Sequence, residues 1–131
     1  MIIIVADSDV LIDYLRGHER STPRVRFELE RGDLATTSVS AFELRLGAKG
    51  ERERAAVSLL LDGLSILPLD ADAALRAADV RRSLLSRGED IGMADSLIAG
   101  TCLRHGGVLL THNTKHFERI EGLRISGRWS H

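Results

Sequence analysis

The first apolar stretch, residues 2 to 6, reads Ile-Ile-Ile-Val-Ala with no polar alternation and stops at Asp7-Ser8-Asp9. An unbroken run of that length predicts a strand buried on both faces. Behind it Val10, Leu11, Tyr14 and Leu15 recur at helical spacing as far as Gly17, and residues 17 to 22 read as a loop. Thr22 as N-cap and Pro23 as first helical residue then open a short helix that Gly32 closes. Residues 34 to 39 form a second strand, and the helix after it places Ala41, Leu44 and Ala48 on one face with Glu43 in its first turn. Residues 51 to 64 predict a helix that is charged at first and apolar from Ala55 onward, and residues 65 to 69 a third strand. Asp70 or Asp72 caps a long helix to Arg87, whose inner face is Ala73, Ala77, Val80 and Leu84 and which Gly88 ends. A helix over residues 93 to 105 turns Leu97, Ile98 and Cys102 inward and carries Asp95 in its first turn. Residues 108 to 111 make a fourth strand, 112 to 122 a polar connection and 123 to 126 a fifth strand before a fraying tail.

Short apolar strands alternating with helices predict an α/β fold, a three-layer α/β/α sandwich around a central, mostly parallel sheet. The whole of residues 1 to 131 reads as a single domain, the size of one core. Right-handed crossovers put the carboxyl ends of all strands on one rim, where open α/β sheets bind their ligands. Asp7, Thr37, Ser38 and Asn113 directly follow strands, and Glu43 and Asp95 lie near helix starts that face the same rim.

Composition narrows the class. Apolar residues are 44% and charged ones 28%, too balanced for disorder. No run approaches the ~20 apolar residues of a membrane helix, and the single Cys102 forms no internal bridge, so the expectation is a cytoplasmic protein without a membrane segment. Sixteen of the 18 cations are arginine, and with the charges of Asp7, Asp9, Glu43 and Asp95 set aside the net −1 becomes +3. That surface suits an anionic partner, although an arginine-favouring genome gives the same composition.

Carboxylates gathered in one crevice repel one another by up to ~4 kcal/mol per pair at ~4 Å and an effective dielectric near 20. A hard cation such as Mg²⁺ or Mn²⁺ matches donors that are all carboxylate or carboxamide, whereas the histidines have no zinc spacing. Each acid also has a plainer role. Asp7 would cap the next helix, Asp9 would stabilise its first turn, and Asp13 is turned away from Asp7. Ser40-Ala-Phe-Glu43 fits a capping box, Asp95 a macrodipole partner, and His112 and His116 solvated loop residues.

Four ordered stretches carry a resemblance that covers nearly the whole chain. They are Asp7-Ser8-Asp9-Val10-Leu11-Ile12-Asp13; Thr37 to Leu44 with Gly47-Ala48; Ile91-Gly92-Met93-Ala94-Asp95-Ser96-Leu97-Ile98-Ala99; and Leu110-Thr111-His112-Asn113-Thr114-Lys115-His116-Phe117. Together they resemble the PIN-domain family, and within it the VapC toxins of toxin–antitoxin pairs. The resemblance implies a Mg²⁺- or Mn²⁺-dependent endoribonuclease with Asp7, Glu43 and Asp95 as its metal-holding acids and Ser8 beside the first. It also implies an RNA substrate, a cognate VapB-like antitoxin laid across the acidic groove, and a homodimer. The family commonly adds a fourth acid in the last stretch, where this chain has Asn113 and His116. Asn113 is the fourth catalytic candidate, and one tightly held ion is expected. Arg45, Arg81, Arg82 and Arg87 are candidates to hold the RNA backbone. Two other readings stand beside this one. A haloacid dehalogenase-like phosphatase would use Asp7 as nucleophile and Asp9 as acid. A non-catalytic RNA- or protein-binding module would keep the fold without turnover.

Overall fold

The structure is a computed structural model that describes residues 2 to 126; the tail beyond Ser126 lies outside them. Five strands form one parallel sheet in the order β3-β2-β1-β4-β5, with β1 (Ile4–Ala6) at its centre. β2 (Leu34–Thr37) and β4 (Val108–Leu110) flank it, and β3 (Ser65–Leu67) and β5 (Arg124–Ser126) are the edges. Ile4 is in register with Leu34 on one side and with Val108 on the other.

Residue parity in the central strands builds the three layers. Ala6, Leu34 and Leu110 point to one face and pack with Val10 and Leu11 of α1 (Ser8–Leu15), Val25 of α2 (Thr22–Arg31), Leu44 of α3 (Ser38–Gly47) and Val57, Leu60 and Leu61 of α4 (Gly50–Asp62). Val5, Ala35 and Leu109 point to the other face. They pack with Leu84 of α5 (Ala71–Ser86), Ile98, Ala99 and Cys102 of α6 (Met93–His105) and Phe117 of α7 (Thr114–Phe117). Successive side chains leave a strand on opposite faces, so an unbroken apolar run supplies both cores at once. α5 and α6 pack backbone to backbone: a Cβ on Gly100 would lie 2.5 Å from the Ala77 nitrogen and 2.6 Å from the Ala73 carbonyl oxygen.

Several boundaries differ from the sequence reading, each for a local reason. α3 begins at Ser38, because the buried Thr37 accepts the Ser40 N–H at 3.0 Å through its side chain. The helix therefore starts two residues before Ser40, Glu43 falls in its second turn, and the capping box does not form. Ser21, not Thr22, is the N-cap residue of α2, and the Thr22 hydroxyl donates back to the His18 carbonyl instead. Asp70, not Asp72, caps α5 by accepting from the Ala73 N–H. The connection after β4 contains α7, which buries Phe117 completely. Leu97 is only partly buried, while Ser96, Gly100 and Thr101 join Ile98 and Cys102 on the inner side of α6.

Candidate active site at the β1–β4 seam

Asp7 follows β1 directly, and its N–H extends the ladder by donating to the Leu110 carbonyl at 2.9 Å. It is the N-cap residue of α1, with Oδ1 accepting the Ser8 N–H at 2.8 Å. Its other oxygen, Oδ2, accepts from the Thr111 hydroxyl at 2.8 Å, a bond that ties β1 to β4. Only 5% of Asp7 is exposed, and burial, together with the charge of nearby Asp9, pushes its pKa up to about 7 against the pull of those two hydrogen bonds. The charge of Asp95 acts in the same direction, so the two acids share one crevice.

The remaining candidates join this centre by two routes. Ser8, the first residue of α1, turns its hydroxyl to Glu43 Oε1 at 3.1 Å, bringing α3 to the start of α1. On the other side the Thr111 hydroxyl also accepts the Asn113 N–H at 3.0 Å. The Asn113 side chain lies 2.8 Å from His116 Nδ1, which is 3.0 Å from Asp95 Oδ2. Hydrogen-bonded pairs thus link Asp7 through Thr111 and Asn113 to His116 and Asp95. Among the described residues no three His, Cys, Asp or Glu side chains enclose a ready-made metal cage. The donor set nonetheless fits a hard cation, since Mg²⁺ keeps several waters and is ordinarily held by one or two carboxylates. A buried acid that holds its proton to about pH 7 beside two other acids is the mark of negative charge awaiting such a partner.

Other residues have structural duties. Asp9 stands in the first turn of α1 and reaches across the seam, where Oδ2 accepts the His112 N–H at 3.2 Å while Oδ1 is buried with no partner. Asp13 is turned into a separate cluster with Arg20 at 2.6 Å, Ser21 at 3.3 Å and His112 Nε2 at 3.1 Å. Ser21 also lies 2.8 Å from that nitrogen, so His112 is a half-buried anchor of the seam, not the solvated residue expected. Thr37 caps α3 and Ser38 donates to the Leu67 carbonyl, so neither turns to the acids. Arg81, Arg82 and Arg87 are engaged by Asp90, Asp79 and Glu89, and Arg45 reaches Ser58. Sequence reasoning passed over Thr111. The rule that selected Asp7, a polar residue where a buried strand stops, applies to it equally.

The comparisons agree with this geometry. The family model described as PIN domain matches residues 4–123. The chain is 32% identical to the tRNA(fMet)-specific endonuclease VapC of Shigella flexneri, with 99% of this chain and 100% of that protein covered. It is 35% identical to Ribonuclease VapC10 of Mycobacterium tuberculosis over 93% of this chain and 91% of the relative. Among solved structures, DNA-bound VapBC from Salmonella typhimurium superposes with a TM-score of 0.84 at 30% identity, covering 95% of this chain and 97% of that one. A central parallel sheet with acids at the β1–β4 seam, matched along almost its whole length by these proteins, places the chain in the PIN-domain family, on its VapC branch.

Proposed function

We propose that this protein is a VapC-type toxin, an endoribonuclease that hydrolyses RNA phosphodiester bonds with the help of Mg²⁺ or Mn²⁺ and is held in check by a cognate antitoxin. The observation that carries the reading is Asp7, a buried carboxylate at the end of the central strand whose neighbours Asp9 and Asp95 are also acids. Relatives named as ribonucleases along the full length of the chain support it.

In this reading Asp7, Glu43 and Asp95 hold the ion, which when bound neutralises charge on the phosphate and activates a water. The protein's own groups set the geometry. Ser8 N–H and the Thr111 hydroxyl fix the two oxygens of Asp7, Ser8 Oγ directs Glu43, and His116 and Asn113 orient Asp95. Asn113 contributes to the site without adding charge. A phosphatase of the haloacid dehalogenase type would need Asp9 as a free acid, and the bond from His112 N–H to its Oδ2 argues against that role.

Partners follow from the same reading. A groove of about 200 Å³ between α1, α3 and α4, lined by Ile12, Leu15, Leu44, Ala48 and Val57 with Glu43 at its edge, suits an antitoxin segment laid toward the acids. The homodimer belongs to the proposal as well, but α4 offers it little, since Val57, Leu60 and Leu61 are used in the protein's own core. Phe42 and Leu46 on α3 and Leu59 on α4 are the exposed apolar side chains in that region.

The test is cleavage of RNA, initiator tRNA first because of the relative's name, with end sequencing of the products. Cleavage should require Mg²⁺ or Mn²⁺ and fall by roughly 10²-fold or more in Asp95→Asn, the scale on which loss of one preorganised charged group acts. Activity that survives both chelation and Asp95→Asn would sink the assignment, and RNA binding without turnover would leave the non-catalytic module.

A further inference from the structure

Three side-chain atoms face one another on the outer side of the crevice. Asp95 Oδ2 lies 3.0 Å from His116 Nδ1, that nitrogen lies 2.8 Å from the Asn113 amide, and the amide lies 3.5 Å from Asp95 Oδ2. As hydrogen bonds this triangle does not close. A ring nitrogen offers one direction, which holds either a proton or a lone pair. With a proton, Nδ1 donates to Asp95 and meets the hydrogens of the Asn113 amide. Without one, it accepts from Asn113 and turns its lone pair on a carboxylate. The amide oxygen and nitrogen exchange places on a flip that leaves the shape of the side chain unchanged. Flipped, the group presents two oxygens and a ring nitrogen to one another with at most one proton among them.

A cation resolves what hydrogen bonding leaves frustrated. In an octahedral complex with bonds of ~2.1 Å, neighbouring ligands stand ~3.0 Å apart. The triangle's edges of 2.8, 3.0 and 3.5 Å bracket that spacing. The His116 side chain is 42% exposed, so water can reach the site to complete a coordination sphere. Its donors are a carboxylate, a carboxamide oxygen and an imidazole nitrogen. Mg²⁺ prefers oxygen and water, whereas imidazole suits transition ions.

We propose that Asp95, Asn113 and His116 form a divalent-cation site with a nitrogen ligand, which takes Mn²⁺ in preference to Mg²⁺. His116 Nδ1 is the ligand that sets the preference, and Asn113 binds through its flipped carbonyl oxygen. The site takes its place in the crevice from the nuclease reading above, on which it rests, but its coordination is read without any RNA.

The experiment uses the full chain, stripped with chelator and titrated with Mn²⁺ or Mg²⁺ alone, followed by calorimetry and pulsed electron paramagnetic resonance. Wild type should show nitrogen modulation from a directly bound imidazole. His116→Ala should lose it and bind Mn²⁺ at least about tenfold more weakly, the lower end of what even an outer-shell partner costs, with Mg²⁺ affinity little changed. His116→Asp should keep Mn²⁺ without the nitrogen signal, which separates loss of the ligand from damage to the fold. Absence of nitrogen modulation in wild type, or its persistence in His116→Ala with unchanged affinity, would overturn the proposal. RNA cleavage without nitrogen ligation defeats this site and spares the nuclease, while nitrogen ligation without cleavage supports the site and defeats the nuclease.

Discussion

Replacing Asp7 by Asn should stabilise the cation-free protein at neutral pH, although it removes an acid proposed to be indispensable for activity. Asp7 is raised from 3.8 to about 7 by its burial first and by the Asp9 charge next. Each unit is worth ~1.4 kcal/mol, so the ionised carboxylate costs the fold about 4 kcal/mol above pH 7. The unfolded chain releases this proton near pH 4 and the folded one near pH 7. Between those values the folded state binds more protons, and stability falls as pH rises. Asn keeps the shape: its Oδ1 can accept the Ser8 N–H, and its Nδ2 can donate to the Thr111 hydroxyl once that group turns round. Urea unfolding in EDTA should therefore place Asp7→Asn above wild type by up to about 4 kcal/mol at pH 8, and by less than half that at pH 5. In a thermal melt the pH 8 difference is on the order of 10 °C. Millimolar Mg²⁺ or Mn²⁺ should raise wild type and narrow the gap. If the variant is no more stable than wild type at pH 8, or if the gap does not depend on pH, the reading of Asp7 as an uncompensated buried charge is wrong.

Gly100→Ala should destabilise by about 2–3 kcal/mol or more, because the new Cβ meets backbone atoms of α5 and the two helices must part; a lower urea midpoint with helix content retained checks it. Thr37→Val keeps the buried shape but removes the acceptor for the Ser40 N–H, at a cost of about 1–2 kcal/mol. Faster amide exchange in the first turn of α3, recovered in Thr37→Ser, would identify the lost cap as the cause.

The order of elements was legible because each strand is a short apolar run and each long helix has a periodic face. The central position of β1 also follows from its run having no polar alternation. Boundaries failed where a side chain chose between two backbone partners. Thr37, not Ser40, caps α3, and a propensity for caps does not decide between two hydroxyl residues three apart. α7 was missed because four residues with one apolar side chain, Phe117, carry no period. Within the site, Asp7, Glu43 and Asp95 stand out by charge and position. Thr111 and His112 do not, since their importance lies in partners about a hundred residues away. Asp13 and Asp7 are equally acidic in sequence, and only the turn of α1 separates them.

The register of β1 also governs the order in which the crevice can assemble. Its bond with β2 spans 30 residues, from Thr36 to Ala6, whereas the link from Thr111 to Asp7 spans 104. Closing the longer loop costs about 1 kcal/mol more in chain entropy, and distant pairings of this kind slow folding. An intermediate with β1, β2 and α3 in place can join Ser8 to Glu43 while Asp7 still lacks Thr111. Asp95 finds its position beside Asn113 and His116 only when β4 docks, so an incompletely folded chain carries all three acids without the arrangement that unites them.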